Sequence, residues 1–115
     1  MSVQVKWERK DGILIGMLVG HIDSSNADRF QRIVESGIDA EDRALILDFE
    51  RVFFISSAGL RISLIISRKF NESGKKFGVC TLSDPIRNVL AISDFDQVIP
   101  IYESRAEAID AFESS

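Results

Sequence analysis

One cysteine and one histidine in 115 residues leave little material for metal or redox chemistry. Cys80 has no second thiol to pair with, and its apolar neighbours suit a reducing compartment. Together with His21 it falls short of the ligand set of a zinc site. The carboxylates nowhere take the D-x-D-x-D-G spacing of a calcium loop. No apolar run approaches the ~20 residues of a membrane span, and residues 1–6 lack the basic start and apolar stretch of a secretory signal. Basic residues are outnumbered, 14 against 18, for a net charge of −4. That balance argues against a nucleic-acid binder held by phosphate contacts. What remains is an ordinary globular composition, 45% hydrophobic and 28% charged. The expectation is one cytoplasmic domain over residues 1–115, without cofactor, metal, membrane or nucleic-acid partner.

The two prolines sit at element edges, and no linker, repeat or low-complexity stretch interrupts the chain. Val3, Val5 and Trp7 alternate with Gln4 and Lys6, the pattern of a half-buried strand. The turn dipeptide Asp11-Gly12 then leads into a β-rich run over 13–20, which predicts a hairpin. A helix should begin near Ser24 or Ser25, among four capping side chains, with Ala27, Phe30, Ile33 and Val34 inward and Gly37 as its stop. Residues 43–49 read as a central strand covered on both faces. A second helix is predicted over 58–71 and a strand over 77–81. A third helix opens at Asp84-Pro85 and buries Ile86, Val89 and Leu90. The last strand is predicted over 98–102. Ser104-Arg105-Ala106-Glu107 is a capping box for a final helix that turns Ala108, Ile109 and Phe112 inward. The order ββαβαβαβα predicts an α/β fold: a mixed, mostly parallel sheet of about five strands with about four helices.

Ligands and partners of open α/β sheets engage the edge where parallel strands end and helices start. Three segments should converge there: 20–25 (Gly-His-Ile-Asp-Ser-Ser), 50–59, and 82–85 (Leu-Ser-Asp-Pro). The middle one is unusual. Ser56 and Ser57 immediately precede a helix whose first turn holds Ala58 and Gly59. One serine can serve as the N-cap, and a poor helix former such as Gly59 suggests close approach of another group. A helix N-terminus also tolerates an added phosphate, which would bring roughly −1.5 to −2 charges to that surface. Residues 51–76 hold six basic side chains against Glu72 alone, a balance of +5 that leaves −9 for the rest of the chain. Ser57, Arg61, Leu64 and Arg68 share one helical stripe, while Ala58, Ile62, Ile65, Ile66 and Phe70 share an apolar one. A basic stripe carrying a leucine suits an acidic protein partner, or a nucleotide phosphate held by one.

The run 52–61, Val-Phe-Phe-Ile-Ser-Ser-Ala-Gly-Leu-Arg after a strand ending in Leu47-Asp48, resembles the signature of STAS domains. Among these it is most similar to the small stand-alone anti-sigma factor antagonists of bacteria. Gly20-His21-Ile22-Asp23 resembles the family's Gly-x-Leu-Asp, and Gly74-Lys75-Lys76-Phe77 falls where the family has such a stretch. The resemblance implies a partner switch. The unphosphorylated domain would bind and sequester an anti-sigma factor, a serine kinase of histidine-kinase-like ATPase fold. Phosphorylation of the loop serine would end the interaction, and a PP2C-type phosphatase would reset it. The acceptor, two residues before the motif glycine, maps to Ser57, with Ser56 as the alternative where many relatives carry Asp. The partner-binding set implied is Asp23, Ser56, Ser57, Gly59, Leu60, Arg61 and Leu64.

Asp23 has a second reading as a helix cap. The chain as a whole admits rival functions too. Similar domains serve non-sigma clients, among them secretion, biofilm control, stress scaffolds and lipid-transport assemblies. A serine hydrolase would use Ser57, His21 and Asp23, but Ile55 stands where the G-x-S-x-G elbow needs its first glycine. Neither nucleotide-binding glycine motif occurs. The chain is expected to be a binding module and not an enzyme.

Overall fold

A computed structural model describes residues 2–114. Met1 and Ser115, the ends of the expected domain, lie outside the described residues. The strands are β1 (Val3–Lys10), β2 (Ile13–Ile22), β3 (Ala44–Ile55), β4 (Lys76–Cys80) and β5 (Ile101–Tyr102). The helices are α1 (Ala27–Gly37), α2 (Ser57–Glu72), α3 (Asp84–Ile92) and α4 (Arg105–Glu113). The order is the expected ββαβαβαβα. In the sheet the strands lie side by side in chain order, with β1 antiparallel to β2 and the remaining pairs parallel.

The hairpin turn is the one its dipeptide demands. Lys10 pairs with Ile13, and both Asp11 (φ 53°) and Gly12 (φ 82°) take positive φ, as a two-residue turn matched to strand twist requires. Each later crossover moves one strand in the same direction, and right-handed crossovers then place α1, α2 and α3 on one face. Leu45 and Leu47 of β3 pack into the core on that face with Phe30, Val34, Ile62, Ile66, Ile86 and Leu90. Ala44 and Ile46 pack on the other, against Ala108 and Phe112 of α4. β3 is therefore covered on both faces where it begins. Further along, α4 no longer covers it: Asp48, buried at 4% exposure, receives Arg105 Nε (3.2 Å) and Nη2 (3.1 Å) from the start of α4.

Some boundaries differ from the pattern. α1 starts at Ala27, because Asn26 spends its side chain on the preceding loop and makes no cap bond to the helix. β5 keeps only Ile101 and Tyr102, since Asp94 (φ 61°) and a 3-10 turn at Phe95–Gln97 occupy the stretch before it. Val89 is exposed and leaves the inward stripe of α3 to Ile86 and Leu90. No helix among the described residues is long and apolar enough to cross a membrane.

Candidate functional site

The largest departure from the sequence pattern builds the site. Residues 50–55, expected to leave the sheet, are its longest strand's final half. Between Met17–Asp48 and Val19–Arg51, and again between Gly20–Val52 and His21–Phe54, β3 holds one residue more than β2. These two bulges break the strict alternation, so that Phe49, Val52 and Ile55 point inward at three-residue spacing. The residues between them face outward. Phe53 is 72% exposed and Phe54 50%. β4 ends level with Asp48, so β3 runs on past it.

At the tip, the Ser56 N–H donates to Ile22 O (2.8 Å), which fixes the entry to α2 on the end of β2. The two serines then part. Ser56 is the N-cap, its hydroxyl accepting from Gly59 N–H at 3.4 Å, and its carbonyl accepts from Leu60 N–H at 3.0 Å. Ser57 is the first helical residue, exposed, and its hydroxyl has no hydrogen-bond partner among the described residues. Gly59 answers a packing demand. A Cβ there would stand 2.5 Å from Ile22 Cγ2 and 2.8 Å from Ile55 Cγ1. The group in close approach is thus the protein's own strand ends, and Gly59 itself is buried.

Asp23 forms a local turn and does not cap α1. One carboxylate oxygen accepts from both the hydroxyl and the backbone N–H of Ser25, and these bonds hold its pKa below the ordinary carboxylate value. The Asn26 amide bridges the same loop, accepting from Asp23 N–H (2.9 Å) and donating to His21 O (2.8 Å). The His21 ring lies against Phe53, centroids 6.0 Å apart and tilted by 49°. Segments 20–25 and 50–59 therefore meet as expected. The 82–85 segment is linked to them through Leu82, which packs in the shared core. His21, Asp23 and Ser57 are brought to one edge, but no hydrogen bond joins any two of them among the described residues, so they form no triad.

Along α2, Arg61 and Arg68 are exposed and without an ion pair among the described residues, whereas Lys69 is tied to Glu35. Leu64 is half-buried against the core. Leu60, expected in the partner-binding set, is 2% exposed and belongs to the interior, because it follows Gly59 onto the sheet side. Phe53 and Phe54 are the site residues that sequence reasoning missed. A signal was present, since adjacent aromatics on a strand cannot both be buried unless both faces are covered. A groove of about 410 Å³ lies elsewhere, on the face that α4 leaves open, lined by Lys6, Met17, Asp48 and Arg105. Its central charges satisfy one another, Asp48 through Arg105 and Arg105 also through Glu8 at 3.4 Å.

Comparison with known proteins matches residues 4–108 to the STAS domain model. BtrV of Bordetella bronchiseptica, named provisionally as an anti-sigma factor antagonist, is 31% identical over 98% of this chain and 97% of its own. An anti-sigma factor antagonist from Mycobacterium paratuberculosis superimposes with a TM-score of 0.83 at 23% identity, over 97% of this chain and 95% of that one. The Bacillus cell fate determinant SpoIIAA, solved in its phosphorylated form, gives a TM-score of 0.69 at 20% identity, over 94% of this chain and 98% of that one. At such identities these two structures speak to the fold.

Proposed function

This chain belongs to the STAS-domain family, and from that premise we propose that it is the phosphorylation-controlled binding module of a partner switch. In this reading the unphosphorylated form binds and sequesters an anti-sigma factor, a serine kinase of histidine-kinase-like ATPase fold. Phosphorylation of Ser57 releases that partner, and a PP2C-type phosphatase restores the binding form. The relatives named as anti-sigma factor antagonists support the role. The observation that carries the site is the division of labour between the serines. Ser56 Oγ is engaged as the helix cap, while Ser57 is exposed and its Oγ has no hydrogen-bond partner among the described residues.

The surface around Ser57 explains how one phosphate would switch it. Phe53 and Phe54 offer apolar area to a partner, and Arg61, one turn along α2, offers a cation with no ion-pair partner among the described residues. A partner meeting them brings apolar side chains and a carboxylate. A phosphate on Ser57 gains from the helix N-terminus and from Arg61 at i+4, so the modified helix is not strained. It also draws Arg61 away from the partner and sets about −2 charges against the partner's carboxylate. A change of 1.4 kcal/mol already alters affinity tenfold, and desolvating that phosphate in an interface costs more. A lone buried Cys80 suits the reducing cytoplasm in which such a switch would work.

The test is localisation of the phosphate. Incubation with the co-purifying kinase and ATP should place it on Ser57 by mass spectrometry. Ser57→Ala should keep the partner bound, and Ser57→Asp should weaken binding at least about tenfold. A phosphate found on Ser56 or elsewhere would overturn the assignment.

A further inference from the structure

Among the described residues, the large apolar side chain most exposed to solvent belongs to α3 and not to the serine tip. Ile92, on α3, is 84% exposed, and Val89 and Val98 are 42% and 51% exposed. Pro85, Val89 and Ile92 stand at i, i+4 and i+7, so they line one flank of α3 beside the Ile86–Leu90 stripe that faces the core. The helix therefore has two apolar stripes, of which one is used in folding. Asp94, in the left-handed region at φ 61°, ends the helix. The following turn is closed by Val98 N–H and Ile99 N–H donating to Phe95 O (3.1 and 2.8 Å), after which Val98 is exposed and Ile99 buried.

From residue 88 to residue 100 the chain carries charge of one sign. Residues 88–100 contain no basic side chain and two carboxylates, Asp94 and Asp96. Neither carboxylate has an ion-pair partner among the described residues. Arg87, the nearest cation in sequence, is held by Glu103 at 3.1 Å. This is the opposite of the serine tip, where Arg61 has no ion-pair partner among the described residues.

We infer that this flank is a second docking surface, and that its occupant is a short amphipathic segment of a partner protein with aliphatic anchors flanked by lysine or arginine. Charge complementarity selects the basic flanks. Size selects a short segment, since a few aliphatic side chains offer well below the about 800 Å² per side of a standard interface. A symmetric dimer of this chain is disfavoured by the same carboxylates, which would face their own copies. An anionic lipid surface is disfavoured for the same reason. With the serine tip free, the domain would hold one partner through α3 while exchanging another at Ser57.

A helical peptide with Leu at i, i+4, i+7 spacing and Lys elsewhere, and its Glu counterpart, would be titrated into the ¹⁵N-labelled full chain. The Lys peptide should shift the amides of residues 86–98, and the Glu peptide should leave them unmoved. Ile92→Ser, at a position too exposed to affect folding, should weaken binding about tenfold. Asp94→Asn combined with Asp96→Asn should weaken it and flatten its salt dependence. Arg61→Ala, which alters the serine tip, should leave the affinity for this peptide unchanged. Absence of Lys-peptide binding, equal binding of both peptides, or shifts mapping elsewhere would overturn the inference. So would concentration-dependent self-association, measured by sedimentation, that Ile92→Ser abolishes.

Discussion

Where β3 begins, Asp42, Arg9 and Arg43 are bonded into the fold; where it ends, the side chains of Ser57 and Arg61 are bonded to no described residue. At the first end Asp42, 2% exposed, receives Arg9 Nε (2.9 Å) and Nη2 (3.0 Å) and the Asp39 N–H (2.8 Å). Arg9 Nη2 also donates to Gly37 O, and Arg43 Nε donates to Asp11 O. At the other end Ser57 and Arg61 have no partners among the described residues, and Phe53 and Phe54 lie in the solvent. The same strand thus joins a region whose polar groups hold the fold to one whose groups are left over from it. Groups the fold does not use are the ones available for recognition, and substitutions should separate the two roles.

The largest effect is expected at the first end. Asp42→Ala removes a buried two-pronged ion pair and a backbone acceptor. Because Arg9 is half-exposed and regains water, the loss should be about 3 kcal/mol, the low end for breaking such a pair. It should appear as a fall in urea midpoint at unchanged slope. Partner binding by the fraction still folded should be unaltered. The contact also carries a pH signature. Arg9 and the Asp39 N–H hold the Asp42 carboxyl below its ordinary 3.8. A depressed carboxylate contributes stability above its unfolded pKa and loses it as pH falls through the folded value. Stability should therefore decline below about pH 4, and Asp42→Asn should flatten that decline. A loss under about 0.5 kcal/mol in Asp42→Ala would erase the distinction between the ends.

The second effect reverses the assignment. Phe53→Ala should leave folding within about 0.5 kcal/mol, since the ring is mostly in water already. Binding to the partner should weaken by about 2 kcal/mol, roughly thirtyfold, as expected of an aromatic anchor. Calorimetric titration of wild type and variant, beside their urea curves, reads both quantities. A variant that loses stability while binding normally would make Phe53 a folding residue after all.

These two ends also differ in how far the sequence exposes them. The hairpin was legible because Asp11-Gly12 fixes a turn by local backbone preference. The α4 start was legible for a similar reason: Ser104 Oγ does accept from Glu107 N–H at 3.1 Å, while the Glu107 carboxylate reaches back to Glu103 N–H. Element order and the two-sided burial of residues 44–47 followed from apolar patterning. The second half of β3 did not, because its bulges depend on the register against β2, a contact between residues about thirty apart in sequence. Without the bulges, Phe53 would share a face with Ile55, which is buried. The serine pair stood out in the sequence as a candidate site, but which serine caps the helix depends on where α2 starts, one residue earlier than the pattern suggested. Leu60 was misplaced for the same reason, since its direction follows from how Gly59 seats the helix on Ile22 and Ile55.

The smallest effect tests the finest division, between neighbours one residue apart. Ser56→Ala deletes a cap whose bond is long, at 3.4 Å, and should cost about 0.5–1 kcal/mol. Ser57→Ala deletes a hydroxyl bonded to nothing described and should cost less than about 0.5 kcal/mol. Phosphate incorporation should run the other way, persisting in Ser56→Ala and vanishing in Ser57→Ala. If each variant loses only one of the two properties, cap and acceptor are separate atoms and the switch can be thrown without loosening the helix. If Ser56→Ala loses both, the acceptor depends on the cap for its presentation, and the boundary between fold and recognition runs through α2's first turn.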